Sequence, residues 1–199
     1  MEHKKMNIKQ EDKRIGKSKS KMKNALIDLL SQRSVDDISV IQICLKANVT
    51  RITFYTYYTD KNALLEEMFR DMASVANDRF LELQEQNNAK LDPAQSYCNL
   101  LTSILDLFYA RNSLLPFALQ KENPNLYLAF SRFLTESVSS LKIGKNIRFR
   151  FSSRMMGDFL CNGLWGFVCQ GRKEHRPVEK IREEANDLIR AVVKAGIVR

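Results

Sequence analysis

Long apolar runs are missing from this chain: no stretch reaches the ~20 residues that a helix needs to span a bilayer. The opening residues, MEHKKMNIKQEDKR, have no apolar core, so they do not form a secretory signal. The hydrophobic share of 44% and the charged share of 28% are those of a soluble globular protein. We therefore expect a cytoplasmic protein that has no membrane partner.

Cysteine and histidine are both scarce. The four cysteines form no CxxC pair, and we expect them to be reduced, buried and apolar in character; they are Cys44, Cys98, Cys161 and Cys169. The two histidines lie near the two chain ends and share no metal-ligand spacing with other residues. Neither a metal nor any other cofactor is expected.

Catalytic motifs and strand patterns are also missing. The chain has no Gly-rich phosphate loop, no GxSxG motif and no nucleophile with a plausible histidine partner. No segment alternates apolar and polar residues as a half-buried strand would. The sequence therefore predicts an all-α protein that is not an enzyme.

What is present is organised around residues 39–65, which have the pattern of a helix, a tight turn, a second helix and the start of a third. Ser39 and Gln42 have the spacing of a capping box. Asn48 lies where a helix ends in a left-handed residue, a conformation that its short polar side chain tolerates. The apolar residues of the first helix share one face; they are Val40, Ile43, Cys44 and Ala47.

The second helix of this stretch, predicted from Arg51 to Tyr58, follows a Thr50 cap and is rich in Thr and Tyr. Arg can donate two hydrogen bonds to guanine, Thr offers a hydroxyl and a methyl group, and Tyr can contact phosphate. A helix, a short turn and a helix form the geometry that places a second helix in the major groove of DNA. The alternative is a tyrosine-rich helix that only packs between two others. Either Thr59 or Asp60 can cap the helix that follows.

The run DDISVIQICLKANVTRITFYTYYTDKNALLEEMF, with the Ala25–Leu30 segment before it, resembles the DNA-binding domain of the TetR/AcrR family of bacterial transcriptional regulators. The residues that match the family pattern are Thr50, Thr53, Phe54, Tyr55, Tyr58, Lys61, Leu64 and Leu65. The chain departs from it at Asn48, where Gly is usual and where Asn can adopt the same backbone. The resemblance covers about residues 18–72.

We expect this domain to bind double-stranded DNA through the second helix and its surroundings. The expected base contacts are Arg51, Ile52, Thr53, Tyr55 and Thr56. The expected phosphate contacts are Ser39, Tyr57 and Lys61, with Tyr55 able to serve either purpose and Thr50 at the start of the helix.

The predicted domain order is a basic disordered arm over residues 1–17, the helix-turn-helix domain over 18–72, and a helical regulatory and dimerisation domain over 73–199. Residues 1–23 hold nine Lys or Arg residues and three Asp or Glu residues, a net charge of +6. Such a segment is either a solvated tail or a chain that follows DNA phosphates or the minor groove. In the second case it would raise affinity without raising specificity.

The last two predicted helices are the most hydrophobic part of the chain, which suits a four-helix bundle formed with a second copy. The alternative is that they close a monomeric core. The resemblance implies a homodimer, and two recognition helices about one DNA turn apart would require a roughly palindromic operator.

Twelve of the eighteen aromatic residues fall between Tyr97 and Phe167, and most of them must form the core. The resemblance implies that a small-molecule effector binds in this domain and releases a repressor from its operator. Candidate pocket residues are Tyr97, Phe108, Phe117, Tyr127, Phe130 and Trp165. The alternative function is a co-activator that keeps the fold and acts through a partner protein or a metabolite.

Overall fold

The computed structural model describes residues 2–110, 113–118, 124–128 and 173–192, together with 155, 159, 162, 163, 166, 167, 169–171 and 194. Its helices are α1 (Glu2–Leu30), α2 (Val40–Ala47), α3 (Arg51–Tyr57), α4 (Lys61–Asn87), α5 (Pro93–Tyr109), α6 (Leu115–Ala118) and α7 (Val178–Val192), with a 3-10 turn at Val35–Asp37. Residues 124–128 are also helical, and no strand occurs among the described residues. The all-α prediction is confirmed.

The chain divides into two compact units. The first contains Met1–Arg70 and Asn112–Leu126, and the second contains Asp71–Arg111 and Tyr127–Arg199. The sequence placed the domain boundary after residue 72 and assigned residues 112–126 to the second domain.

The first unit is built on α1, which packs against α2 and α3. Apolar residues spaced three and four apart on α1 are buried and form one face of the helix. The buried residues of this unit include Met22, Ala25, Leu26, Leu29, Leu30, Ile38, Ile43, Cys44, Ala47, Phe54, Tyr58, Leu64, Leu65, Met68 and Phe69. Burial of these side chains supplies the main driving force for folding of the unit.

Helix α1 begins earlier than the sequence suggested. We placed its start near Ser18 or Ser20, after a disordered arm, whereas the structure starts the helix at Glu2. The added residues are rich in Lys, Glu, Gln and Arg, which have good helix propensity. Gly16 lies within this helix and faces open space, so no packing depends on a side chain there.

The predicted caps around α2 and α3 are confirmed. The Ser39 hydroxyl accepts a hydrogen bond from the Gln42 amide at 3.3 Å, and the Ser39 amide donates to the Gln42 side chain at 2.8 Å. Asn48 has φ 52° and ψ 53°, the left-handed conformation that ends α2. Thr50 caps α3, accepting from the Thr53 amide at 3.1 Å. Asp60, rather than Thr59, caps α4.

The second unit holds α5 against α7. Asp92 caps α5 ahead of Pro93, the first residue of the helix. Apolar residues of both helices are buried, including Tyr97, Cys98, Leu101, Leu105, Phe108, Ile181, Ala185 and Ile189. Gly171 closely approaches α7, because a Cβ atom there would lie 2.8 Å from Ile181.

Polar groups of the second unit are paired with each other. The buried Asn88 side chain donates to Ser96 at 2.8 Å and to the Gln84 side chain at 3.0 Å. Asp106 on α5 accepts from Arg79 on α4 at 3.1 Å and from Arg182 on α7 at 2.6 Å. Because Asp106 bonds to both neighbours, it ties three helices of this unit together.

The cysteine prediction is confirmed for Cys44 and Cys98, which are free and buried. Cys169 is half-buried, and Cys161 lies outside the described residues. No helix in the described part of the chain is both long enough and apolar enough to cross a membrane.

Candidate nucleic-acid interface

The orientation of α3 is set by two buried aromatic side chains. Phe54 is fully buried, and Tyr58, the residue that caps the helix, is nearly so. Their ring centroids are 5.5 Å apart. With this side of α3 fixed in the core, the opposite side faces solvent, where Arg51, Ile52, Tyr55 and Thr56 line an open hollow. Four of the five predicted base contacts therefore line one surface.

The fifth predicted base contact, Thr53, is half-buried beside the helix cap. Its hydroxyl lies 2.9 Å from the hydroxyl of Thr50, so both side chains are engaged at the start of α3. The Thr56 hydroxyl donates to the carbonyl of Ile52 at 2.8 Å. Its donor is therefore used within the helix, and the donors that the hollow presents are the Arg51 guanidinium and the Tyr55 hydroxyl.

The side chains of Arg51 and Tyr55 contact each other. The Arg51 guanidinium lies 6.0 Å from the centroid of the Tyr55 ring, a cation–π contact. The Tyr55 ring in turn meets Phe54 edge to face, with centroids 5.6 Å apart. Since both long side chains are already partly ordered, less conformational entropy is lost when they contact a ligand.

Lys61, predicted to contact phosphate, forms hydrogen bonds within the domain. Its ammonium group donates to the backbone carbonyls of Val35 at 2.7 Å, Asp36 at 3.0 Å and Ile38 at 2.9 Å. A lysine has three N–H donors, so none is left for phosphate in this arrangement. The side chain holds the 3-10 turn against the start of α4. The sequence alone could not show this because the acceptors are backbone atoms 23 to 26 residues away.

The other two predicted phosphate contacts flank α3. Ser39 is exposed at the start of α2, where its hydroxyl also lies 3.1 Å from the Gln42 side chain. Tyr57 is half-buried, and the ammonium of Lys19 lies 5.8 Å from its ring centroid. Both residues are thus positioned by local contacts of the domain.

Glu67 on α4 is a central residue of the site that the sequence analysis missed. Its carboxylate accepts from Lys19 at 2.7 Å, pairs with Lys23 at 2.7 Å and accepts from the Tyr58 hydroxyl at 3.1 Å. Burial by itself would raise the pKa of the Glu67 carboxyl, but hydrogen bonds from the two lysines and their charges lower it to about 2. The carboxylate therefore stays ionised and links α1, α4 and the end of α3.

One signal for Glu67 was present in the sequence. It lies three residues after the buried Leu64, beside the apolar face of α4, where an acidic residue needs a partner. Its partners, 44 and 48 residues earlier by their numbers, could not be identified without the fold.

The candidate pocket residues that the structure describes belong to both units. Tyr97 and Phe108 are buried on α5 in the second unit, where burial raises the pKa of the Tyr97 hydroxyl. Tyr127, also in the second unit, donates a hydrogen bond to Asn162. Phe117 belongs to the first unit. Phe130 and Trp165 lie outside the described residues.

Comparison with known proteins agrees with this geometry. Residues 24–68 match the family model described as "Bacterial regulatory proteins, tetR family". The chain is 24% identical, over 181 residues, to the uncharacterized HTH-type transcriptional regulator YxbF of Bacillus subtilis; the match covers 88% of this chain. It spans only 45% of the length of that relative.

Two solved structures share the fold. A TetR transcriptional regulator from Streptococcus agalactiae is 21% identical, with a TM-score of 0.58 over 92% of this chain and 98% of that one. A regulator assigned to the TetR family from Syntrophomonas wolfei is 15% identical, with a TM-score of 0.67 over 88% of this chain and 94% of that one.

Proposed function

We propose that the chain is a transcriptional regulator of the TetR family, whose model matches residues 24–68, and that it is a homodimeric repressor that a small-molecule effector releases from a palindromic operator. In this proposal its partners are double-stranded DNA, a second copy of itself and the effector. It acts in the cytoplasm, where its operator is located, and it is a regulator rather than an enzyme.

The observation that carries the proposal is the outward face of α3. The helix presents Arg51, Ile52, Tyr55 and Thr56 together, while Phe54 fixes the opposite side in the core. A guanidinium, an apolar side chain and a phenol on one short helix match the chemistry of base edges in the major groove.

Homodimer formation is supported by an exposed apolar face in the second unit. The helical residues Met155 and Phe159 are 65% and 57% exposed, and the exposed Gly163 and Gly166 continue the same series. A Cβ atom at either glycine would meet nothing within 4 Å, so another helix can approach closely there. Large apolar residues left in water indicate a surface that a partner covers, and in this proposal the partner is the same face of a second copy.

The DNA-binding part is tested by selecting sequences from a random double-stranded pool with the full chain and measuring affinity by fluorescence anisotropy at several salt concentrations. We expect Arg51→Ala to weaken binding to the selected sequence by about 1–3 kcal/mol while binding to scrambled DNA is unchanged. The matched control is Lys46→Ala, an exposed lysine of α2, whose loss should affect both DNAs equally. No enrichment of any sequence would contradict the proposal and favour the co-activator alternative.

The dimer is tested separately by sedimentation. Phe159→Glu places a charge on the proposed interface and is expected to shift the chain from dimer to monomer, with Leu81→Glu, an exposed position of α4, as the control. If the parent chain were monomeric, or if Phe159→Glu remained dimeric, the proposed dimer interface would be wrong. The palindromic operator, which is inferred from that dimer, would then lose its support.

A further inference from the structure

Ile52 is 82% exposed on the outward face of α3. Single exposed apolar residues are common and need no explanation by themselves. Here, however, the residue is one wall of the hollow that Arg51, Tyr55 and Thr56 complete. An apolar group therefore shares the surface that faces the proposed DNA with a guanidinium and a phenol.

The polar groups around Ile52 are held in place by contacts within α3. The Thr56 hydroxyl donates to the Ile52 carbonyl, and the Arg51 guanidinium stacks over the Tyr55 ring. The isoleucine side chain is branched at Cβ, so within a helix it is held in one strongly preferred rotamer. The Ile52 side chain therefore forms an apolar wall of the hollow with one preferred orientation.

The chemistry of the major groove identifies what such a wall can contact. Base edges there present hydrogen-bond donors and acceptors, and the apolar group among them is the C5-methyl of thymine. We infer that the hollow receives a thymine methyl and that Ile52 selects thymine at one position of each operator half-site. Arg51, beside it, selects a neighbouring guanine through O6 and N7. This inference rests on the proposed function, since it names the operator feature that the same face recognises.

The expected loss of affinity is set by the free energy of burying one methyl group. Burying one such group is worth about 0.8 kcal/mol, which corresponds to an affinity difference of about fourfold. Two half-sites contacted in the same way would give about fifteenfold when both methyl groups are removed. Differences of this size are readily measured by competition binding.

The test replaces single thymines of the selected sequence with deoxyuridine, which pairs as thymine does and lacks only the methyl group. With the full chain, we expect one thymine in each half-site to lose about fourfold in affinity on replacement. The remaining thymines should tolerate the change.

Two variants then assign the contact. Ile52→Ala should bind the thymine DNA more weakly and should no longer distinguish thymine from uracil at that position. Leu45→Ala is the matched control, because it removes an apolar side chain that is 77% exposed on α2, outside the hollow. It should keep the thymine preference in full.

The outcomes separate this inference from the function on which it rests. Tolerance of uracil at every position, or a thymine preference that persists in Ile52→Ala, would overturn the assignment of Ile52 while leaving sequence-specific binding intact. If no sequence is enriched by the parent chain, both the DNA-binding proposal and this inference fail.

Discussion

The basic residues of the first unit differ in whether their charged groups are bound within the unit or exposed on its surface. The ammonium groups of Lys19, Lys23 and Lys61 are bound to a carboxylate or to backbone carbonyls inside the unit. The guanidinium of Arg51 lies on the open face of α3, above an exposed tyrosine ring. Positive charge in this unit is thus divided between lysines that stabilise the domain and an arginine that is available to a ligand.

This comparison changes how a loss of DNA binding should be interpreted. A lysine variant that unfolds the domain and an arginine variant that loses a base contact would both reduce affinity. Only the first would also lower the free energy of unfolding. Stability measured without DNA therefore separates the two groups.

The largest effect on stability is expected for Lys61→Met. The substitution keeps much of the aliphatic stem but removes the donors of three hydrogen bonds to Val35, Asp36 and Ile38. Hydrogen bonds from a charged group contribute about 1.5–3 kcal/mol each when protected, and one of these is exposed. We expect the free energy of unfolding to fall by roughly 2–4 kcal/mol in urea titration.

Lys46→Met is the control for this prediction. Lys46 pairs with Asp28 at 3.4 Å with both side chains largely exposed, so its loss should change stability by about 0–1 kcal/mol. If Lys61→Met were as stable as the parent chain but weakened binding to all DNA sequences, Lys61 would be a phosphate contact, as the sequence first suggested.

A smaller effect is expected for Glu67→Gln, which removes the carboxylate opposite Lys19 and Lys23. The loss should be about 1–3 kcal/mol at neutral pH. The pKa of Glu67 is lowered in the folded chain from 4.5 to about 2, so the unfolded chain takes up the proton first as the pH falls. The stabilisation is complete above about pH 4.5 and is lost toward pH 2.

The pH dependence of Glu67→Gln is checked by measuring unfolding from pH 6 to pH 2, a window that spans both pKa values. The variant should lack the part of the acid destabilisation that belongs to this carboxyl. Glu66→Gln, at an exposed neighbour that pairs with Arg70 at 3.9 Å, should keep the parent profile. If the free energy of unfolding depended on pH equally in the parent chain, Glu67→Gln and Glu66→Gln, Glu67 would not be responsible for this part of the acid destabilisation.

The sequence was sufficient for the parts of the first unit that local chemistry decides. The caps at Ser39, Thr50 and Asn48 and the buried face of α2 depend on residues within a few positions of each other. The hydrogen bonds of Lys61 and the ion pairs of Glu67 could not be predicted because their partners come from the 3-10 turn and α1. Long polar side chains can reach in several directions, and only the packed fold selects one.

The smallest effect is expected for Arg14 and Lys17, exposed residues of α1 that precede Lys19. If they contact DNA phosphates, which is one of the two interpretations of the basic N-terminal segment, Arg14→Gln combined with Lys17→Gln should weaken binding to specific and scrambled DNA alike. The dependence of log affinity on log salt should decrease by about one unit for each lost contact.

Stability should not change in this double variant, because exposed charges without a fixed partner contribute little to folding. Lys19→Gln is the informative counterpart: its ammonium is engaged by Glu67 and lies 5.4 Å from the Tyr58 ring centroid. It should therefore lower stability while leaving the salt dependence nearly unchanged. If Lys19→Gln altered the salt dependence as much as the exposed pair, the division between stabilising and DNA-contacting charges would not hold on α1. A lysine bound within the domain would then exchange its carboxylate for a phosphate on binding.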